Sequence, residues 1–155
     1  MFISVLMLYV YSDMIKILNI IQTLNPEYGG PATSLIDNSL MLSKKGFMVD
    51  ILTYDTKNQI KHLHKDKIKI FNQGPSFGKY TFSLKVFLWI LKNRNKYDIF
   101  IVHGIWHFST LLARILLKKK YFVFLHGGLD TYFRSELIKL IKKKLYWNLI
   151  EKKNL

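Results

Sequence analysis

An apolar run at Ile17–Ile21 passes through a polar loop into Gly29-Gly30-Pro31, and helical spacing starts there at once. Apolar residues at Leu35, Ile36, Leu40, Met41 and Leu42 predict an amphipathic helix over Ala32–Lys45. Lys44 and Lys45 fall in its last turn, where positive charge is favoured, and Gly46 is a suitable stop. Phe47–Thr53 then reads as a second, mostly buried strand. A strand, a helix and a strand within about 40 residues is a βαβ unit, which joins parallel strands. The glycine turn inside it also has chemical meaning. The first N–H groups of a helix have no partner within it, and the peptide dipoles leave partial positive charge there. Such an end attracts anions. Gly29 and Gly30 would let another molecule approach the backbone, and Pro31 suits the first helical position.

The remaining chain repeats the alternation. Ile68–Phe71 reads as a short strand, and Asn72–Tyr80 as a turn-rich connection. Phe82–Leu91 is predicted as a helix, with Phe82, Val86, Trp89 and Ile90 at helical spacing. Tyr97–Val102 is apolar without alternation, as in a parallel strand covered on both faces. Phe108–Leu117 is the next helix, with Leu111, Leu112, Ile115 and Leu116 expected inward. Tyr121–Leu125 is the last strand. Tyr132–Lys153 reads as a basic helix with an apolar stripe at Leu137, Ile141, Leu145 and Leu149. The pattern predicts an α/β fold, a Rossmann-like, doubly wound parallel sheet.

Three glycine corners would then lie at strand carboxyl ends: Gly29-Gly30, His103-Gly104 and His126-Gly127-Gly128. In open parallel sheets, ligands sit beyond those ends, near the switch in strand order. His103 and His126 could donate to a phosphate or sugar hydroxyl, or act as acid or base near neutral pH. Each could equally cap a strand through a backbone carbonyl. Asp130 could accept from a sugar hydroxyl or cap the last helix. The Gly29-Gly30 turn has neither the spacing of a dinucleotide fingerprint nor a P-loop's Gly-Lys-Ser/Thr.

Composition narrows the partners. The chain has 155 residues, enough for one domain with a real core, and 50% of them are apolar. It contains no cysteine, which excludes disulfides and thiolate metal sites. His62 and His64 alternate as metal ligands could, but no third ligand stands near, so loop histidines are expected there. A net charge of +14 favours anionic partners: nucleic acid, acidic lipid or phosphorylated small molecules. No recognisable nucleic-acid-binding motif accompanies it. No Ser sits in a G-x-S-x-G elbow either. Residues 1–13 form an apolar extension or flexible tail ahead of a domain spanning 14–155. That stretch is too short for a membrane span, which needs about 20 residues; a short inserting anchor is the alternative.

PEYGGP at Pro26–Pro31, HGIW at His103–Trp106, HGGLD at His126–Asp130 and LYWNLIEKKNL at Leu145–Leu155 stand in a characteristic order and spacing. Together, from about Met14 onward, they resemble the N-terminal half of a family 4 glycosyltransferase. These are two-domain GT-B enzymes that build bacterial surface polysaccharides. The resemblance implies a Rossmann-like acceptor-side domain, one half of a GT-B fold, facing a cleft. It implies retaining transfer from a nucleotide-diphosphate sugar to a lipid-linked or polysaccharide acceptor, with no metal or other cofactor. His126 would match the histidine that contacts the transferred sugar. Gly29 and Gly30 would lie against the donor diphosphate or the acceptor. His103 and Trp106 would line the acceptor side, with Gly127 and Asp130 also binding substrate. Thr131-Tyr132 stands where relatives often have Pro-Trp.

The chain stops where the resemblance places the second domain, with its E-x7-E motif and most of the nucleotide contacts. A truncated product or a separately encoded half, inactive alone, is therefore expected. Cytoplasmic location, with peripheral attachment to an acidic inner membrane face, fits that reading. The alternative is a non-enzymatic remnant that binds membrane or another transferase subunit.

Overall fold

The computed structural model describes residues 14–57, 68–118, 120–128 and 144–155. Its strands are β1 (Lys16–Ile21), β2 (Met48–Thr53), β3 (Lys69–Asn72), β4 (Ile99–His103) and β5 (Tyr121–Phe124). They form an all-parallel sheet in the order β3-β2-β1-β4-β5. The chain builds outward from β1 in one direction and then returns to build in the other. The strand order therefore switches between β1 and β4.

Helices cover both faces, which is why the central strands are apolar on both sides. α1 (Gly30–Lys44) places Leu35 and Ile36 against Ile21, Leu24, Ile51 and Ile68. On the opposite face, Val86 and Ile90 of α2 (Leu84–Asn93) and Leu112 and Leu116 of α3 (Phe108–Leu116) pack on Leu18, Ile20, Phe100 and Val102. Burying a Leu or Ile side chain contributes about 1.5–3 kcal/mol, so these two layers hold the sheet. α1 ends as Lys44, Lys45 and Gly46 predict. Gly46 has φ +91° and donates to the Ser43 carbonyl, and Phe47 N–H donates to that of Leu42. This is a Schellman motif.

Four expectations change in detail. α1 starts two residues earlier than its periodicity suggests, because Gly30 and Pro31 are already helical. α2 starts at Leu84, where the Ser83 hydroxyl caps it; Phe82 precedes the helix and is half exposed. In α3 the inward face is Phe108, Leu112, Ala113 and Leu116, while Ile115 points to solvent. The small Ala113 side chain permits that rotation. Most different is the C-terminal segment, helical over residues 144–154 with a π-helical stretch at Trp147–Glu151. Leu145 and Leu149 are exposed, whereas Glu151 and Asn154 are fully buried. Tyr146, Trp147, Glu151 and Asn154 face the protein while Lys144, Lys152 and Lys153 stay exposed, and Thr110 of α3 donates to the buried Glu151 carboxylate. Leu137, Ile141, Asp130, His62, His64 and the expected tail lie outside the described residues.

Candidate active site

Side-chain alternation puts Ile17, Asn19 and Ile21 of β1 on the α1 face of the sheet. Asn19 aligns with Ile101 of β4, and His103 shares the side of Ile101. Asn19 and His103 thus point the same way from neighbouring strands. The His103 Nε2 lies 3.0 Å from Asn19 Oδ1, and its Nδ1 lies 2.9 Å from His126 Nε2. The two imidazoles lie nearly parallel, with centroids 5.1 Å apart, and the Phe124 ring covers His103 at 5.7 Å. Three polar side chains from β1, β4 and the turn after β5 therefore form one row at the carboxyl edge. The row starts inside the protein, at buried Asn19, and ends in solvent, at exposed His126.

Burial and repulsion from His126 push the His103 pKa down to about 4. Burial also lowers His126. Both rings are neutral near pH 7, so they act there as hydrogen-bonding groups rather than cations. His126 has φ +45° and Trp106 has φ +69°, left-handed conformations that a non-glycine residue adopts only when its surroundings fix it. Such strain gathers at functional sites.

Trp106 is half-buried, and its indole N–H donates to the Gly128 carbonyl at 2.9 Å. Its ring meets Tyr146 and Trp147 at 5.9 and 5.8 Å. It ties the corner after β4 to the corner after β5 and both to the C-terminal segment. His107, a third histidine at this edge, caps α3 with its backbone and packs beside Gly104; burial lowers its pKa. Gly128 is closely packed: a Cβ there would lie 2.7 Å from Ile105 Cγ1.

The α1 N-terminus lies at the same edge and covers the same face as Asn19 and His103. Gly29 precedes the helix with φ +106° and ψ −175°, a region open essentially to glycine alone. No side chain caps the helix, its first turn carries no acidic residue, and Gly29 and Gly30 are exposed. A Cβ on Gly30 would meet nothing within 4 Å. The amides at this end are open to an incoming anion.

The loop feeding this helix is held from β2. Asp55 is buried and accepts from Thr23 Oγ1 at 2.7 Å, Leu24 N–H at 2.7 Å and Thr53 Oγ1 at 2.6 Å. Asn25 caps the following 3-10 turn, Pro26–Tyr28, by accepting from Glu27 N–H at 3.1 Å. Among the described residues, no group of three or more His, Cys, Asp or Glu could hold a metal ion. Nor is any described helix long and apolar enough to cross a membrane.

A five-stranded all-parallel sheet covered by helices on both faces, with an open helix N-terminus and paired histidines at its carboxyl edge, defines a Rossmann-like α/β domain. Residues 28–153 match the sequence model of Glycosyltransferase Family 4, and the chain belongs to that family. No curated protein matches the sequence closely enough to count as a relative. The fold is that of one half of a GT-B enzyme.

Proposed function

We propose that this domain is the acceptor-side half of a retaining glycosyltransferase of bacterial surface polysaccharide synthesis. It uses a nucleotide-diphosphate sugar as donor and a lipid-linked or polysaccharide acceptor, with no metal or other cofactor. Activity requires a second, nucleotide-binding domain. Half a cleft cannot orient two substrates or exclude water from them. The observation that carries the reading is the row Asn19–His103–His126, set at the switch in strand order on the face that α1 covers.

His126, at the exposed end of the row, hydrogen-bonds a hydroxyl of the transferred sugar. The amides of the first turn of α1, beginning at Gly30, offset the charge of the leaving diphosphate, while Gly29 turns the chain into them and donates its own N–H to the Pro26 carbonyl. His103, Trp106, Gly127 and Asp130 complete the substrate-binding surface, with Trp106 acting also as the brace between two corners. In an enzyme that joins this domain to its second half, His126→Ala lowers turnover about tenfold or more with folding intact. Unchanged sugar transfer by that variant removes His126 from the mechanism.

Surface features support attachment to an acidic membrane face, either for the enzyme or for a non-catalytic relative of it. On α2, Leu84, Leu88 and Leu91 are exposed at positions that share one helix face, beside exposed Lys85 and Lys92. Leucines flanked by lysines suit the boundary of an anionic bilayer. Flotation with acidic vesicles but not with neutral ones is the expected result. Flotation without sugar transfer by the completed protein favours the non-enzymatic reading.

A further inference from the structure

Asn19 is a polar side chain in the middle of the innermost strand, 2% exposed, between residues that are wholly apolar. Such a group is costly to bury without a hydrogen bond, and its Oδ1 meets a single histidine nitrogen, Nε2 of His103. We infer that Asn19 is a positioning residue: through His103, it sets which nitrogen of His126 carries the proton. The inference rests on the proposed role of His126, but concerns a residue outside the substrate-binding surface.

The logic is the donor and acceptor count of neutral imidazole, one N–H and one bare nitrogen. Asn19 presents its carbonyl oxygen, which only accepts, so His103 Nε2 holds the proton. His103 Nδ1 is then bare and must accept. It faces His126 Nε2 at 2.9 Å, which therefore donates. His126 Nδ1 is left bare and available to accept from a hydroxyl. Reversing the amide would invert every link and present an N–H instead. A buried amide thus decides whether the exposed end of the row accepts or donates.

The test is the tautomer itself, read by long-range proton–nitrogen NMR on the full 155-residue chain at mildly alkaline pH. The expected wild-type spectrum has a bare Nδ1 and a protonated Nε2 at His126. Asn19→Leu keeps the volume but removes the acceptor beside His103 Nε2. The His103 proton is then favoured on Nδ1, where it donates to His126, so the proton of His126 moves to Nδ1. That reversal supports the inference, because a merely structural asparagine does not predict it. A wild-type His126 protonated at Nδ1 overturns it, as does an Asn19→Leu spectrum unchanged at His126. Neither reading depends on sugar transfer. Failure of the tautomer test leaves the glycosyltransferase reading standing, and loss of that reading leaves the tautomers as measured.

Discussion

Nδ1 of His103 and Nε2 of His126 stand 2.9 Å apart, although the residues are separated by a helix and a strand. The pairing follows from the register of β4 and β5, in which His103 aligns with Phe124, two residues before His126. One proton shared between two imidazoles keeps both from charging together, and burial adds to this. It makes the histidine row a source of acid sensitivity.

Folding stability should therefore fall as pH drops below about 6.5, the ordinary histidine pKa. The sign follows from proton counting. The unfolded chain protonates His103 near that value, whereas the folded chain does so only near 4. Between the two, the unfolded state binds more protons, so acid favours unfolding. His103 alone contributes about 3 kcal/mol at most across that window. His126 and His107 act in the same direction, because their pKa values are lowered too. Urea unfolding at a series of pH values should show the fall, and His103→Gln should flatten it.

The two glycines before α1 should respond oppositely to alanine. Gly29→Ala forces a side chain into φ +106°, costing about 1–3 kcal/mol. Gly30 is helical with open space where a Cβ would go, so Gly30→Ala keeps or raises stability by up to about 1 kcal/mol. That methyl group nevertheless covers amides proposed to face phosphate. Thermal melts should separate the two variants. In the completed enzyme, Gly30→Ala should raise KM for the nucleotide sugar.

The sheet was legible in the sequence because its strands are apolar runs between glycine corners and helical stripes. The periodicity that reveals α1 is the same one that buries Leu35 and Ile36. His103 and His126 were visible as matched His-Gly pairs, though their contact depends on strand order. Asn19 carries a plain signal too: one amide interrupting KILNII in a strand buried from Ile17 to Ile21. Asp55 carries no such signal, since nothing local reveals that Thr23 and Leu24 reach it from the loop after β1. The inward face of the C-terminal segment is hidden for a related reason. Apolar spacing identifies the inward face only when the neighbouring surface is apolar, and here α3 presents Thr110.

Asp55 should prove a stability residue with a local signature. Three donors converge on its carboxylate, from Thr23, Leu24 and Thr53. Hydrogen bonds to a charged group contribute about 1.5–3 kcal/mol each, and bonds on one carboxylate are not additive. Asp55→Ala should destabilise by about 2–4 kcal/mol. Hydrogen exchange should quicken at Leu24 N–H before it does at the centre of β1, because the loop loses its anchor while the strand keeps its neighbours.

Glu151 should connect the C-terminal segment to the histidine corner. Its carboxylate is fully buried and accepts from Trp106 N–H at 3.3 Å, Thr110 Oγ1 at 3.2 Å and Asn154 Nδ2 at 3.4 Å. Trp106 in turn holds the Gly128 carbonyl, two residues beyond His126. Removing the carboxylate strands these donors and opens space in the interior, so Glu151→Ala should cost about 2–4 kcal/mol. At this chain length that lowers Tm by roughly 4–16 °C. Glu151→Gln keeps the volume and one acceptor oxygen, and should lose less. The distinguishing readout is the Trp106 indole N–H resonance. It should shift in Glu151→Ala while the indole of Trp89, packed on Phe71 and Tyr97, stays in place. A shift confined to Trp106 ties the last turn of the chain to the loop beside His126. Equal shifts at both indoles would mean that the substitution loosens the whole core.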